Sequence, residues 1–473
     1  MRADTTRGIV DRFWNDRALP TLEQYIEIPN LSPFFDPSWR ENGHMDRAVD
    51  LLAQWARSQD LAGAKLEVLR PEGKSPLIFM EIDGAAAGTV LLYGHLDKQP
   101  EMTGWDEGLD PWKPVRRGER LFGRGAADDG YAIFGVIAAV RALQEQHESH
   151  PRLVVLIEST EESGSFDLPW YVDHLKTRIG TPDLVVCLDS GCGNYDQLWM
   201  TNSLRGVVTG ELRVQVLDEG VHSGDAGGIV PSSFRVLRQL LDRFEDSRTG
   251  EVIPQWMHVD IPERFLEESK RSAAILGDEV YSKFPFAGNT EPLTRDPLQL
   301  ILNRTWQPST SYVAIEGLPA LQQGGNVLRP YTTIKLSIRT PPTLDAGEAD
   351  RRIKELFESQ PPYGANVTWT SDGGAPGWLA PEMKSWLAET MNRASNEYYG
   401  REAATIGEGG SIPFMGMLHE KFPEAQFVVT GVLGPHSNAH GPNEFLDIPT
   451  VKKLTCCIAA VISEAGRQSA SAR

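Results

Sequence analysis

Several apolar runs in this chain lead into side chains able to bind a metal ion. Thr89-Val90-Leu91-Leu92-Tyr93 leads into Gly94-His95-Leu96-Asp97. Alternate strand residues share a face, so His95 and Asp97 are expected to emerge together at a strand's C-terminal edge. A carboxylate beside an imidazole fixes its tautomer and raises its basicity, as a histidine ligand requires. Downstream, Leu121-Phe122-Gly123-Arg124-Gly125-Ala126-Ala127-Asp128-Asp129-Gly130 sets two carboxylates in a Gly-rich loop. Leu153-Val154-Val155-Leu156-Ile157 runs on to Glu161-Glu162, and Leu184-Val185-Val186-Cys187-Leu188 runs into Asp189. Gly434 to Glu444 adds His436 and His440 in a polar loop.

Each acidic pair alone suits a solvated surface. Placed after buried strands, they share the edge of an open α/β sheet where sites form, and carboxylates crowded there repel without a cation. The donors are oxygen and nitrogen, without Cys. That set suits Zn²⁺, Mn²⁺ or Co²⁺ in an open catalytic site rather than a closed structural one.

His95-Leu96-Asp97, Gly123-Arg124-Gly125 through Asp128-Asp129, Glu161-Glu162-Ser163-Gly164 and His440-Gly441-Pro442-Asn443-Glu444 resemble the signature blocks of one family. It is the co-catalytic metallopeptidase family of carnosine dipeptidase, aminoacylase and succinyl-diaminopimelate desuccinylase, and the resemblance is greatest to the dipeptidase-like branch. The resemblance implies two divalent ions per subunit, bridged by Asp128. His95 and Asp189 complete one ion's ligands, Glu162 and His440 the other's. It implies Glu161 as general base and Asp97 as the residue orienting the histidine ligand. Two ions about 3.5–4 Å apart share and acidify a water, and an unligated glutamate beside it can carry its proton to the leaving amine. The peptide after the bridging aspartate is commonly cis in the family. Asp129 is read as structural, accepting loop N–H groups. Relatives usually carry Lys after Asp-Asp, where this chain has Gly130-Tyr131, which alters local charge balance.

The elements that must position these groups suggest a split architecture. The chain of 473 residues, 40% hydrophobic, suffices for two packed domains. Residues 1–206 and 377–473 are expected to form a catalytic α/β domain with a mixed, largely parallel sheet flanked by helices. Residues 207–376 are expected as an inserted, smaller α+β lid or dimerisation domain, because Leu212-Arg213-Val214-Gln215-Val216 and Ile334 to Arg339 alternate as half-exposed strands do. Helices are expected at Asp46–Ser58, Tyr131–Leu143 and Ser232–Phe244, and strands at Val367–Trp369 and Gln426–Thr430. Glu251–Arg304 shows no clear period and is read as helical and loop elaboration. The tail Arg467–Arg473, small and polar, is expected to fray.

Within the insert, His222 resembles the family histidine that reaches the partner subunit's site and holds the oxyanion, and with it a homodimer is expected. Arg339 resembles the arginine that binds a substrate carboxylate, a task that suits a guanidinium fork. Asn326 is a candidate for the same pocket, and Gly410-Ser411 offers N–H groups and a hydroxyl for the substrate's C-terminal end. His436 is expected to line the site at most.

The formal charge of -19 argues against nucleic-acid and anionic-membrane partners. No run reaches the length of a membrane span, and the N-terminus lacks a secretion signal's apolar core. Four cysteines without framework spacing point to reduced thiols in a cytoplasmic protein. The expectation is a metallopeptidase cleaving a dipeptide or small peptide-like substrate with a free carboxylate. An N-acyl-amino-acid amidohydrolase is the nearest rival, and a non-catalytic metal-dependent binding protein the remote one.

Overall fold

The computed structural model describes residues 1–471. Its central sheet has six strands: Ala64–Leu69, Leu77–Ile82, Arg152–Glu158, Thr89–His95, Leu184–Cys187 and Gln426–Val429, in that spatial order. The last four run parallel, and the first two close one side antiparallel. The strands read as apolar runs because both faces are covered. Val90, Leu92, Leu153, Val155 and Ile157 point into one core, against helices Ala3–Phe13, His44–Ser58, Ala132–Glu145 and Ile448–Ser471. Their neighbours Leu91, Tyr93, Val154 and Leu156 point into the other, against Leu168–His174 and Pro413–Lys421. Burying such a side chain on either face contributes roughly 1.5–3 kcal/mol.

A second sheet joins Ser309–Glu316, Tyr331–Thr340, Gly206–Gln215 and Asn366–Ala375, all antiparallel. Val208, Leu212 and Val214 with Ile334, Leu336 and Ile338 pack under helices Ser233–Leu241 and Ala346–Glu358. A three-stranded sheet, Trp378–Leu379, Trp199–Leu204 and Ala404–Glu408, stands where the chain enters and leaves it. The aperiodic stretch after Glu251 contains helices Glu263–Leu276, Glu279–Ser282 and Pro297–Thr305. Leu276, Val280 and Ile301 pack on Trp199, Ala404 and Ile406 of that small sheet. The expected fraying of the tail is corrected: the last helix continues through Ser471, and residues 472–473 of that expectation lie outside the described residues.

Candidate active site

The four parallel strands deliver their C-terminal ends to one edge. His95 ends its strand opposite Glu158. Asp189 lies just past Leu184–Cys187, Glu161 and Glu162 open a single 3₁₀ turn, and Asp128 lies in the loop before Ala132–Glu145. Donor atoms of His95, Glu161 and Asp189 lie within 4.8 Å of one another, as do those of His95, Asp128 and Glu162. Nε2 of His95 is 3.5 Å from Asp128 and 3.6 Å from Asp189. Nε2 of His440 is 3.0 Å from Asp128 and 3.3 Å from Glu162. The edge thus gathers all five expected ligands and Glu161.

The donor set fits metal ions. Nε2 of His95 and Oε1 of Glu162 are buried with no hydrogen-bond partner, a cost of about 1–3 kcal/mol each unless something else satisfies them. The electrostatics agree. Burial alone would lower His95, but Asp189 and Asp128 outweigh it and hold the imidazole well above its usual range. Burial opposes ionisation of Asp128, yet His440 and His95 hold its carboxyl well below the carboxylate range. Burial, and then the charge of Asp189, raises Glu161. Negative charge is in excess here, and nitrogen and oxygen donors converge on it.

Backbone groups hold the Glu161-Glu162 turn in place. Asp97 accepts the N–H of Glu161 at 3.1 Å through one carboxylate oxygen and that of Glu162 at 3.0 Å through the other. Nδ1 of His95 meets the Asp97 backbone carbonyl at 3.1 Å, with its carboxylate at 3.5 Å. Asp97 therefore serves the Glu161-Glu162 turn as much as the histidine. Beneath it, Glu158 accepts hydrogen bonds from Tyr93 (2.6 Å), Thr160 (2.8 Å) and Ser165 (2.8 Å). Burial and the Asp97 charge push Glu158 up to about 7. Asp129 accepts the His95 N–H at 3.2 Å, and the Asp128–Asp129 peptide is cis. Gln99 donates to Glu162 at 2.7 Å.

The absence of a side chain at Gly130 has a steric cause. A Cβ there would lie 2.3 Å from the Tyr25 ring and 2.4 Å from the Gly125 carbonyl. A buried lysine stands beside that ring all the same: Nζ of Lys98 is 3.9 Å from its centroid and donates to the carbonyls of Tyr25 and Ile28 at 2.8 Å, and burial holds it well below the usual lysine range.

His440 sits in a loop where His436, Asn438, His440 and Asn443 all have positive φ. Such backbone persists only where its surroundings over-determine it. Glu444, fully buried, accepts from Arg124 at 2.8 Å and from the N–H groups of Gly125, Ala127 and Asp128 at 3.1–3.2 Å. Arg124 also donates to the Gly441 carbonyl at 2.7 Å. One buried ion pair thereby locks the His440 loop to the Asp128 loop.

A cavity of about 450 Å³ opens on this edge, and its walls include Asp128, Glu161, Glu162, Asp189 and His440. Arg339, Gly410 and Ser411 line it too. Arg339 donates to the Ser411 hydroxyl at 3.1 Å, and burial lowers the guanidinium. Among the described residues no carboxylate pairs with it. His222 and Asn326 lie elsewhere. Strand Val221–His222 pairs with Val327–Leu328, just after Asn326, the Ser223 N–H bonds the Asn326 carbonyl, and His222 is exposed. His436 is exposed and outside the cavity lining, within the expectation that it would line the site at most. Sequence reasoning passed over Gln99, Glu158, Arg124 and Glu408, the last of which also lines the cavity. Gln99 and Glu158 lie within four residues of His95 and Glu161, a signal that adjacency offered.

Residues 91–464 match the model of peptidase family M20/M25/M40. The Beta-Ala-His dipeptidase of Homo sapiens is 28% identical over 424 residues, covering 86% of this chain and 82% of the relative. The Cysteinylglycine-S-conjugate dipeptidase of Corynebacterium striatum is 26% identical over 390 residues, covering 80% and 82%. The solved structure of the dipeptidase Dug1p from Saccharomyces cerevisiae superposes with a TM-score of 0.79 over 98% of both chains. Its sequence identity is 22%, and the likeness is one of fold.

Proposed function

The chain belongs to peptidase family M20/M25/M40, and from that premise we propose that it hydrolyses the amide bond of dipeptides carrying a free carboxylate. It is a metallopeptidase. Asp128 would bridge two divalent ions, with His95 and Asp189 on one and Glu162 and His440 on the other. Those ions, Zn²⁺ or else Mn²⁺ or Co²⁺, would polarise the scissile carbonyl and acidify a water. Glu161, held by its own N–H on Asp97, takes a proton from the attacking water and passes it to the leaving amine. Arg339 and Ser411 grip the substrate carboxylate and set the amide over the donors. Residues 207–376 form the lid and dimerisation unit in this reading. His222 and Asn326, side by side and away from their own cavity, would complete the partner subunit's site in a homodimer. The buried thiols of Cys187, Cys192, Cys456 and Cys457, all unpaired, support a cytoplasmic location. Among the described residues no helix is long and apolar enough to cross a membrane.

The observation that carries this reading is the convergence of unsatisfied buried donors on one wall of a cavity whose other wall holds an unpaired arginine. The test is a hydrolysis screen of free dipeptides against N-acyl amino acids, with metal-stripped protein reloaded with Zn²⁺, Mn²⁺ or Co²⁺. Turnover of dipeptides, lost on stripping and restored on reloading, is expected. Turnover of acyl substrates alone would overturn the dipeptidase reading in favour of a deacylase.

A further inference from the structure

Beyond the cavity lies a second, more enclosed recess of about 50 Å³. Glu408 and Leu433 stand in the walls of both spaces. The recess lining includes Cys192, just past Asp189, together with Lys283 and Arg304. Lys283 follows the short helix Glu279–Ser282, and Arg304 lies on Pro297–Thr305. These belong to the aperiodic part of the insert that packs on strand Ala404–Glu408.

The charges in this recess are poorly matched. Among the described residues neither Lys283 nor Arg304 forms an ion pair. Nε of Arg304 is buried with no hydrogen-bond partner, and its one bond is a long 3.4 Å contact to the Gly407 carbonyl. Burial and the Arg304 charge pull Lys283 down to about 8, against the opposing pull of the Glu408 carboxylate. Two carboxylates also border the recess. Glu279 is exposed to solvent, and Glu408 stands at the junction with the active-site cavity. A dipeptide brings one ammonium, which Glu408 can match. The inner end then presents two cations against a single solvated carboxylate. Both cations are half-buried, and an incoming anion would pair with them in a partly desolvated site.

We propose that this recess receives the side chain of the substrate's N-terminal residue and selects a short acidic one, aspartate before glutamate. The inference rests on the dipeptidase reading above and narrows it to a substrate class. The volume matches: about 50 Å³ holds roughly four water-sized groups, the size of a carboxymethyl group. Lys283 supplies a point charge and Arg304 a planar donor for the same carboxylate.

The test compares kcat/KM of the metal-loaded full chain on Asp-Ala, Glu-Ala, Ala-Ala, Leu-Ala and Lys-Ala. Asp-Ala is expected to exceed Leu-Ala and Lys-Ala by at least about tenfold, the scale of one hydrogen bond to a charged group. Lys283→Met and Arg304→Gln should each cut the Asp-Ala to Ala-Ala ratio by about tenfold, and Lys283→Arg should restore part of it. Leu-Ala or Lys-Ala as the best substrate would overturn the assignment. So would variants that lower Asp-Ala and Ala-Ala in equal proportion, because damage to the fold does not discriminate between side chains. Turnover of none of the dipeptides would sink the dipeptidase reading itself, whereas turnover without acidic preference sinks only the recess.

Discussion

The two walls of the cavity are built on opposite plans. The sheet-edge wall is acidic, and its supporting groups are satisfied: Asp97 takes two backbone N–H groups, Glu158 three hydroxyls and Glu444 an arginine with three N–H groups. Its loose ends include two of the donor atoms, Nε2 of His95 and Oε1 of Glu162, together with Oδ1 of Asp129. The facing wall carries Arg339, which bonds a hydroxyl, and the recess beyond it carries Arg304, which bonds a distant carbonyl. In the proposed reaction one wall would take positive ions and the other the negative groups of a small substrate. Preorganisation of this kind places the cost of orienting charges in folding rather than in the reaction.

The contrast can be broken from either side. Glu161→Gln removes the proposed proton carrier while leaving the proposed ligands in place. Turnover is expected to fall by about 10²–10⁴-fold with metal content unchanged by elemental analysis. Full turnover with metal bound would remove Glu161 from the chemistry. Glu444→Gln loosens the link between the His440 and Asp128 loops without touching a donor. Metal affinity should drop by about 10–100-fold, read by titration against a competing chelator, and unchanged affinity would mean the loops hold themselves. On the cationic wall, Arg339→Met should raise KM by roughly tenfold or more with a smaller change in kcat, the pattern of lost uniform binding. If kcat fell and KM stood still, Arg339 would be acting in the transition state and the division of labour between the walls would need redrawing.

The acidic wall was largely legible in the residues. His95, Asp128, Glu161, Glu162 and Asp189 follow apolar runs or glycine-rich turns whose periods are local. Alternation through Val90 to Tyr93 already implies two covered faces, and the two cores divide those residues accordingly. Strand Ser309–Glu316 was missed. Its apolar side chains face solvent, and a bulge between Tyr312 and Ala314 breaks its alternation. The helices after Glu251 were no clearer, because their partners lie on a strand more than a hundred residues later.

What the sequence determined by itself is the chemistry of the donors and the edge on which they stand, since strand period and turn glycines act over a few residues. The tertiary structure decided which groups meet. Arg339 reaches Ser411 across 72 positions, Glu444 reaches Arg124 across 320, and Lys283 and Arg304 come to rest behind Glu408. Contacts at such separations carry no local period. They form because buried charges and unpaired backbone groups must find partners once the sheets have packed, and the packing of the whole chain sets which partners are within reach.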